Sequence, residues 1–255
     1  GYYYLSGDDK TEEPQIIAPV VVPDPLPEQP LETEAILPEP EPEIKEPVPV
    51  QLPEVDPVAE VEPLPALADS DDYIHQKAID IADGMAIEPL MIEDNVVRQF
   101  VVFVDNLAQG ELARKVSPLK APNNSFTVSD IANKTYIDPD SYHRYDLFAD
   151  FLASLNEQEL AKSYKEMTPL LSEAFNELGY SDMSFEQRMQ QAISVMLDAP
   201  IIEQPIELDG VSVNYQFVDP KLEALPNAQK LMIRMGPENS RKVKSALRRL
   251  QKQLN

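Results

Sequence analysis

The chain has 255 residues, 45 acidic and 21 basic, a formal net charge of −24, 25 Pro, 7 Gly and no Cys or Trp. This excludes a disulfide scaffold, a thiolate metal site and a cysteine nucleophile. It also argues against nucleic acid as a partner, because phosphate contacts need Lys and Arg. No apolar run reaches the roughly 18 residues that read as a membrane span.

The acidity is uneven. Residues 1–72 hold 19 acidic and 2 basic residues and 15 of the prolines. We therefore place an acidic, Pro/Glu-rich tether at 1–68 and a helical domain at 69–255. Within the tether prolines recur at short intervals, as in Pro38-Glu39-Pro40-Glu41-Pro42. Each fixes φ, removes a donor and pushes its predecessor out of the helical region. Polyproline II remains, at about 3.1 Å per residue, and like charges extend it. Residues 14–65 are expected to be extended, with few contacts to the domain. They read as a spacer or as a Pro-rich ligand for a groove-binding partner. The start Gly1-Tyr2-Tyr3-Tyr4-Leu5 fits either a deleted upstream membrane helix, since tyrosines cluster at headgroup level, or an ordinary cleaved terminus or tag scar.

The domain reads as mostly helical. Asp69-Ser70-Asp71-Asp72 offers cap groups to a helix carrying Tyr73, Ile74, Ala78 and Ile81. A second helix is predicted from Pro89 to Gln109, stopped by Gly110. Its stripe is Val97, Phe100, Val101, Val104 and Leu107, with Arg98, Asp105 and Asn106 outside it. The run Phe100–Val104 also fits a strand, but the length of the pattern favours helix. Residues 111–137 look irregular, with a possible short strand pair at 126–128 and 135–137. Asp138-Pro139 opens a helix bearing Tyr142, Tyr145, Phe148 and Phe151. Asn156 caps the next, which Thr168-Pro169 should interrupt before Gly179 ends it. Ser184-Phe185-Glu186-Gln187 has capping-box spacing. Residues 201–218 are the best strand candidate, with Asp209-Gly210 as a type I′ hairpin turn. Asp219-Pro220 restarts helix, and Gly236-Pro237 separates a helix at 226–235 from a final one at 238–254.

That final helix is the one basic region. From Lys230 onward there are 8 basic residues and one acid, Glu238. Val243, Leu247, Leu250 and Leu254 share one side; Arg241, Lys244, Arg248 and Lys252 are expected opposite. The pattern fits a docked helix with a solvated outer face. It also fits contact with anionic headgroups or an acidic partner, the tether included.

A search for catalytic patterns gives no catalytic, cofactor-binding or metal residues, so no cofactor is expected. The two histidines, His75 and His143, are far apart in sequence. No zinc-peptidase motif, phosphate loop or nucleophile elbow is present. The densest polar cluster is Asp138, Asp140, Tyr142, His143, Tyr145, Asp146 and Asp150. His143 and Asp146 are i,i+3 neighbours, close enough for a carboxylate to orient an imidazole. Helix chemistry explains the same residues, since acids suit the positive N-terminal end.

Several stretches carry a resemblance: Val104–Gly110, Ser117-Pro118-Leu119, Tyr142-His143-Arg144-Tyr145-Asp146, Leu178-Gly179-Tyr180, Phe217–Leu225 and Arg234-Met235-Gly236-Pro237-Glu238-Asn239. Over about 90–255 the chain resembles DUF3014, a bacterial family of unknown function. Its members look like single-span membrane proteins with a Pro-rich spacer and this domain. That implies an upstream anchor in the inner membrane and a periplasmic domain. The resemblance implies no activity, substrate or catalytic residue.

The expectation is a mainly α, multi-helix domain with a small β-hairpin, behind an extended tether. Its expected role is binding or scaffolding, with an envelope protein or cell-wall component as partner. Two other readings remain: a carboxylate-dependent cell-wall hydrolase, and a peripheral lipid binder acting through the basic C-terminal helix.

Overall fold

A computed structural model describes residues 63–211 and 214–254. The Tyr2–Leu5 start and nearly all of the tether lie outside the described residues. Among those described are eight α-helices and one four-stranded antiparallel sheet in the order β1-β2-β3-β4. The helices are α1 (Asp71–Ile81), α2 (Val96–Ala108), α3 (Asp146–Ser154), α4 (Glu157–Asn176), α5 (Phe185–Leu197), α6 (Pro220–Glu223), α7 (Asn227–Arg234) and α8 (Gly236–Gln253). The strands are β1 (Val128–Ile131), β2 (Lys134–Ile137), β3 (Glu207–Val211) and β4 (Asn214–Phe217). The mainly helical class expected from the sequence is what the chain adopts.

The largest core forms where α2 meets α4 and α5. Val97, Val101 and Val104 bury against Leu170, Leu171, Phe175, Phe185, Met189 and Ile193. Phe175 stacks on Tyr180 at 5.1 Å and packs against Phe185 at 5.8 Å. Leu67 is buried in the same cluster and Leu64 packs on it. A second cluster joins α3, α5, α7 and α8 through Ala149, Met196, Ala228, Met232 and Val243. In the third, the sheet packs on α7 through Ile137, Leu208, Phe217 and Ile233.

Helix α2 starts at Val96 rather than near Pro89. Pro89 belongs to a separate 3-10 turn, Glu88–Leu90, and Asn95 takes φ 56°. The start is fixed from outside: the Asp71 carboxylate accepts from the Asn95 and Val96 amides, both at 2.8 Å. An acid at the head of α1 thus caps α2. The end falls where expected. Gly110 has φ +82°, and a Cβ there would lie 2.9 Å from Cβ of Pro226.

Asp105 departs from expectation. Although outside the apolar stripe, it is buried. Its Oδ1 lies 2.8 Å from Arg188 Nε of α5, with both side chains almost covered. Neither atom makes a well-directed hydrogen bond, so the contact is an ion pair. Gln109 and Tyr180 donate to its other oxygen, at 2.9 and 3.3 Å. The Arg188 guanidinium lies over the Tyr180 ring, 4.7 Å from its centre. One carboxylate therefore ties α2 to α5 and to the segment after α4.

Pro169 does not interrupt its helix; α4 runs through it. The Lys165 carbonyl loses its amide partner, but Lys165 and Pro169 are both exposed, so water can replace it. Thr168 donates to the Tyr164 carbonyl at 2.8 Å. Asn156 caps the α4 start as expected, and Ser184 and Gln187 form both halves of the capping box on α5.

The possible strand pair at 126–137 forms as β1 and β2, turning at Ala132-Asn133 with φ 52° and 64°. The positive φ at both positions is the feature assigned to Asp209-Gly210. Those residues instead lie within β3, where Asp209 pairs with Gln216 and Gly210 with Tyr215. Pairing of Thr135 with Leu208 and of Tyr136 with Glu207 joins the two hairpins.

Asp105→Ala should lower unfolding stability by about 3 kcal/mol, because it strands the Arg188 charge in the α2–α5 interface. Urea denaturation of wild type and variant measures this, and a loss under about 0.5 kcal/mol would contradict the buried ion pair.

Candidate functional site

A cleft of about 810 Å³ opens between the β1–β2 hairpin, the 3-10 segment Pro139–Tyr145 and the α7–α8 turn. Ile131, Ile137, Tyr142, Ile202 and Pro205 give it apolar walls, and His143, Glu203 and Glu238 lie among its polar groups. Each element reaches the cleft for a local reason. The Asp138 side chain accepts from the Asp140 amide and starts the 3-10 segment after β2. That brings Tyr142 and His143 forward.

On the other side the chain turns at Gly236, the first residue of α8, directly after Met235, which caps both α7 and α8. The glycine has φ +82°, and a Cβ there would lie 2.5–2.9 Å from atoms of Tyr142. Only glycine meets both conditions, the left-handed backbone and the contact with the tyrosine. Pro237 then occupies the first turn of α8.

Asn239, two residues after Pro237, is almost fully buried. Its Nδ2 donates to the Tyr142 carbonyl at 3.1 Å, to Asp146 Oδ1 at 2.8 Å and to the Met235 carbonyl at 3.2 Å. Its Oδ1 is buried and meets no protein donor. Asp146 uses its second oxygen on His143, with Nδ1 2.8 Å away. A line of contacts thus runs from the buried amide, through the carboxylate, to an imidazole that is 72% exposed. The hydrogen bond that His143 donates to the Asp146 carboxylate, helped by the charge of that carboxylate, raises the His143 pKa above the ordinary 6.5. Burial pushes the Asp146 carboxyl up, but Asn239 and His143 outweigh it and the net shift is downward. Burial alone raises the Tyr142 hydroxyl.

The i,i+3 relation of His143 and Asp146 is therefore real. The cluster around it divides, because Asp150 pairs with Lys242 at 2.9 Å instead. His75 lies elsewhere, with Nε2 2.8 Å from the Ile92 carbonyl. No motif in the sequence marks Asn239, Glu203 or Gly236 as site residues, yet all three line the cleft. A weak signal existed in Asn239: asparagine is a poor helix interior residue and costs energy there unless buried hydrogen bonds repay it.

The bases of α8 are arranged differently from the wheel. Lys244 is buried and donates to the Leu197 and Ala199 carbonyls at the end of α5. Burial lowers its pKa. It is not on the solvated face, because the open carbonyls of a helix C-terminus attract a cation more than a wheel can show. Arg249 likewise donates to the Ala153 carbonyl at 2.8 Å, at the end of α3. Arg241 is exposed and pairs with Glu203, which joins α8 to the cleft. Arg248 and Lys252 are exposed. Among the described residues no group of three metal-ligating side chains is set to hold an ion, and no helix is long and apolar enough to cross a membrane.

His143 should titrate above 6.5 in an NMR pH series, and Asp146→Asn should bring it back toward that value. The sign follows from the raised folded value: the pair's stabilising effect is complete below pH 6.5 and fades as pH climbs through the folded pKa. At its lower end the effect is lost as Asp146 protonates, below its ordinary 3.8. Gly236→Ala should cost about 2 kcal/mol or more, read from the urea midpoint, since it adds left-handed strain to a clash with Tyr142.

The cleft is bordered by two of the stretches that carry the family resemblance, 142–146 and 234–239. A family model described as a protein of unknown function (DUF3014) matches residues 96–251. No curated protein and no solved structure matches the chain. With more than half of its length covered by that match, the chain belongs to the DUF3014 family.

Proposed function

We propose that this is a binding module of the bacterial cell envelope, tethered to the inner membrane by its Pro/Glu-rich segment, and that the cleft at the α7–α8 turn receives a segment of a partner protein. The observation that carries this reading is the cleft itself: apolar walls, a polar rim, and a shape fixed by the Gly236–Tyr142 contact. Ligand sites combine apolar lining with a few placed polar groups in this way. Ile131 is 61% exposed at the mouth, a large apolar side chain left for a partner to cover. The Pro/Glu-rich segment is the second support. Leu64 and Leu67 already belong to the body, so the spacer ends earlier than residue 68, and the composition of the residues ahead of it suits a long spacer able to carry the domain away from a membrane.

Hydrolysis of cell-wall glycan needs one carboxyl held protonated beside a second acid. Asp146 is held charged by its two partners, and Glu203 is engaged by Arg241. The chemistry of the cleft therefore favours recognition over cleavage.

Photo-crosslinking in living cells tests the reading. A benzoylphenylalanine at Ile131 or Gln204, in the cleft, should capture the same partner band, and one at Lys162 on α4 should not. Equal capture from all three positions, or capture from Lys162 alone, would defeat the cleft as the docking site. Cell fractionation tests the address: the natural gene product should sediment with membranes, and recovery as a freely soluble cytosolic protein would count against the tether.

A further inference from the structure

The geometry points to how the cleft takes its partner: an extended segment bearing lysine or arginine pairs with the free edge of β1 and turns alternate side chains over the cleft. This pairing rests on the cleft's being a docking site, and gives that site a backbone partner and a charge preference.

The register shows which groups of β1 are free. In an antiparallel pair, alternate residues turn their N–H and C=O groups to the neighbouring strand, and the others turn them away. The Asp138 amide donates to the Thr127 carbonyl at 3.2 Å, on the β1 side of β2. The Ile137 amide donates on the other side, to the Ile206 carbonyl at 3.0 Å. Lys134 and Tyr136, in step with Asp138, therefore face β1, where their partners are Ile131 and Ser129. That leaves Val128 and Asp130 with backbone groups directed outward, and among the described residues no strand or loop meets them. The Asp130 side chain does not fold over the edge either; it accepts from Thr135 Oγ1 at 2.6 Å, within the hairpin.

The far edge of the sheet is closed where this one is open. There the outward Phe217 amide donates to the Glu223 carboxylate at 2.9 Å, and α6 lies against β4. Bare edges invite pairing, and proteins usually cover them. β1 is bare beside the cleft: Ser129 and Ile131 line it, and Ile131 is 61% exposed. A strand added to β1 would turn alternate side chains to the face that carries Ser129 and Ile131. Main-chain bonds would then hold the segment while its side chains meet the cleft.

Charge selects the occupant. Three carboxylates line the cleft, Asp146, Glu203 and Glu238, against one ionisable base, His143. Asp130 adds an exposed carboxylate on the strand and Asp140 another on the 3-10 segment. Arg241 and Lys242 answer Glu203 and Glu238 only at the surface, where the Glu238 side chain is 81% exposed. A second copy of the chain would bring a net charge of −24 and its own Asp130 to the edge, so self-pairing is opposed. A basic segment meets the excess of acid, and an apolar residue within it covers Ile131.

Amide hydrogen exchange of the full chain tests the edge. Val128 and Asp130 should exchange fast, and Ser129 and Ile131 slowly. A short alternating Lys–Val peptide should slow the first two, and should bind about tenfold more tightly than its Glu–Val counterpart. Asp130→Pro removes one outward amide and spares the β1–β2 ladder, because proline is tolerated where the N–H side faces out of a sheet. It should abolish the effect of the peptide, whereas Asp130→Ala, which keeps the amide, should weaken binding only about threefold. Where Asp130→Pro lowers the melting temperature, protection of Val128 and Asp130 by the peptide in the wild type decides alone. In cells, capture of the partner by benzoylphenylalanine at Gln204 should fall about tenfold in Asp130→Pro. Unchanged capture would sink the strand pairing and leave the cleft as a docking site; no capture at Gln204 in the wild type would sink both. Slow exchange of Val128 and Asp130 in the free chain would overturn the proposal, as would no protection by the Lys–Val peptide or equal affinity for the two peptides. Sedimentation as a dimer that Asp130→Pro dissociates would also overturn it, by making a second copy the occupant.

Discussion

The close approach of Tyr142 to Gly236 sets much of the geometry around it. Because the glycine has no Cβ, the tyrosine occupies the space a side chain would take, and the chain can turn there with a left-handed residue. This turn leads α7 into α8. It places Asn239 where its amide reaches the Tyr142 carbonyl and Asp146, and so orients His143. The same turn sends α8 along α3 and α5, where Lys244 and Arg249 meet the ends of those helices. Cleft, polar line and terminal helix all follow from one missing methyl group.

Polar groups held inside the body do much of the joining between helices. Asp105, Asn239 and Lys244 are each largely covered and each bind elements distant in sequence. Such groups add less net stability than apolar packing of equal volume, but leaving one unpartnered is expensive. They therefore discriminate among packings that apolar contacts alone would tolerate. Residues of the family resemblance divide accordingly: Asp105, Tyr180 and Asn239 make such polar contacts, whereas Gly110 and Gly236 are explained by close approach and a left-handed backbone.

Local signals were legible and non-local ones were not. The Asn156 cap, the Ser184 capping box and the stops at Gly110 and Gly179 depend on residues within a few positions, and each fell where read. The α2 start is not legible locally, because its cap comes from Asp71 on another helix. Pro169 suggests a break because a single sequence does not show that its side of the helix faces water. Asp209-Gly210 has good turn chemistry, but pairing with Gln216 and Tyr215 keeps it in a strand. For the site, the contact of His143 with Asp146 was readable as an i,i+3 pair. Glu203 and Asn239 join it only through tertiary contacts, and Lys244 looked solvent-facing because a wheel carries no information about neighbouring carbonyls.

The second cluster has a further consequence. Met196, Met232 and Met235 lie together there, and Met91 and Met189 are buried in other clusters. Without cysteine, thioether sulfur is the oxidisable sulfur of the chain. Conversion of these side chains to sulfoxides would insert polar, chiral groups into close-packed apolar space. The native body shields them, so peroxide should reach Met85, Met167 and Met183, which are only partly covered, well before Met232. The order in which the sulfurs gain oxygen is therefore a built-in clock for transient opening of the helices.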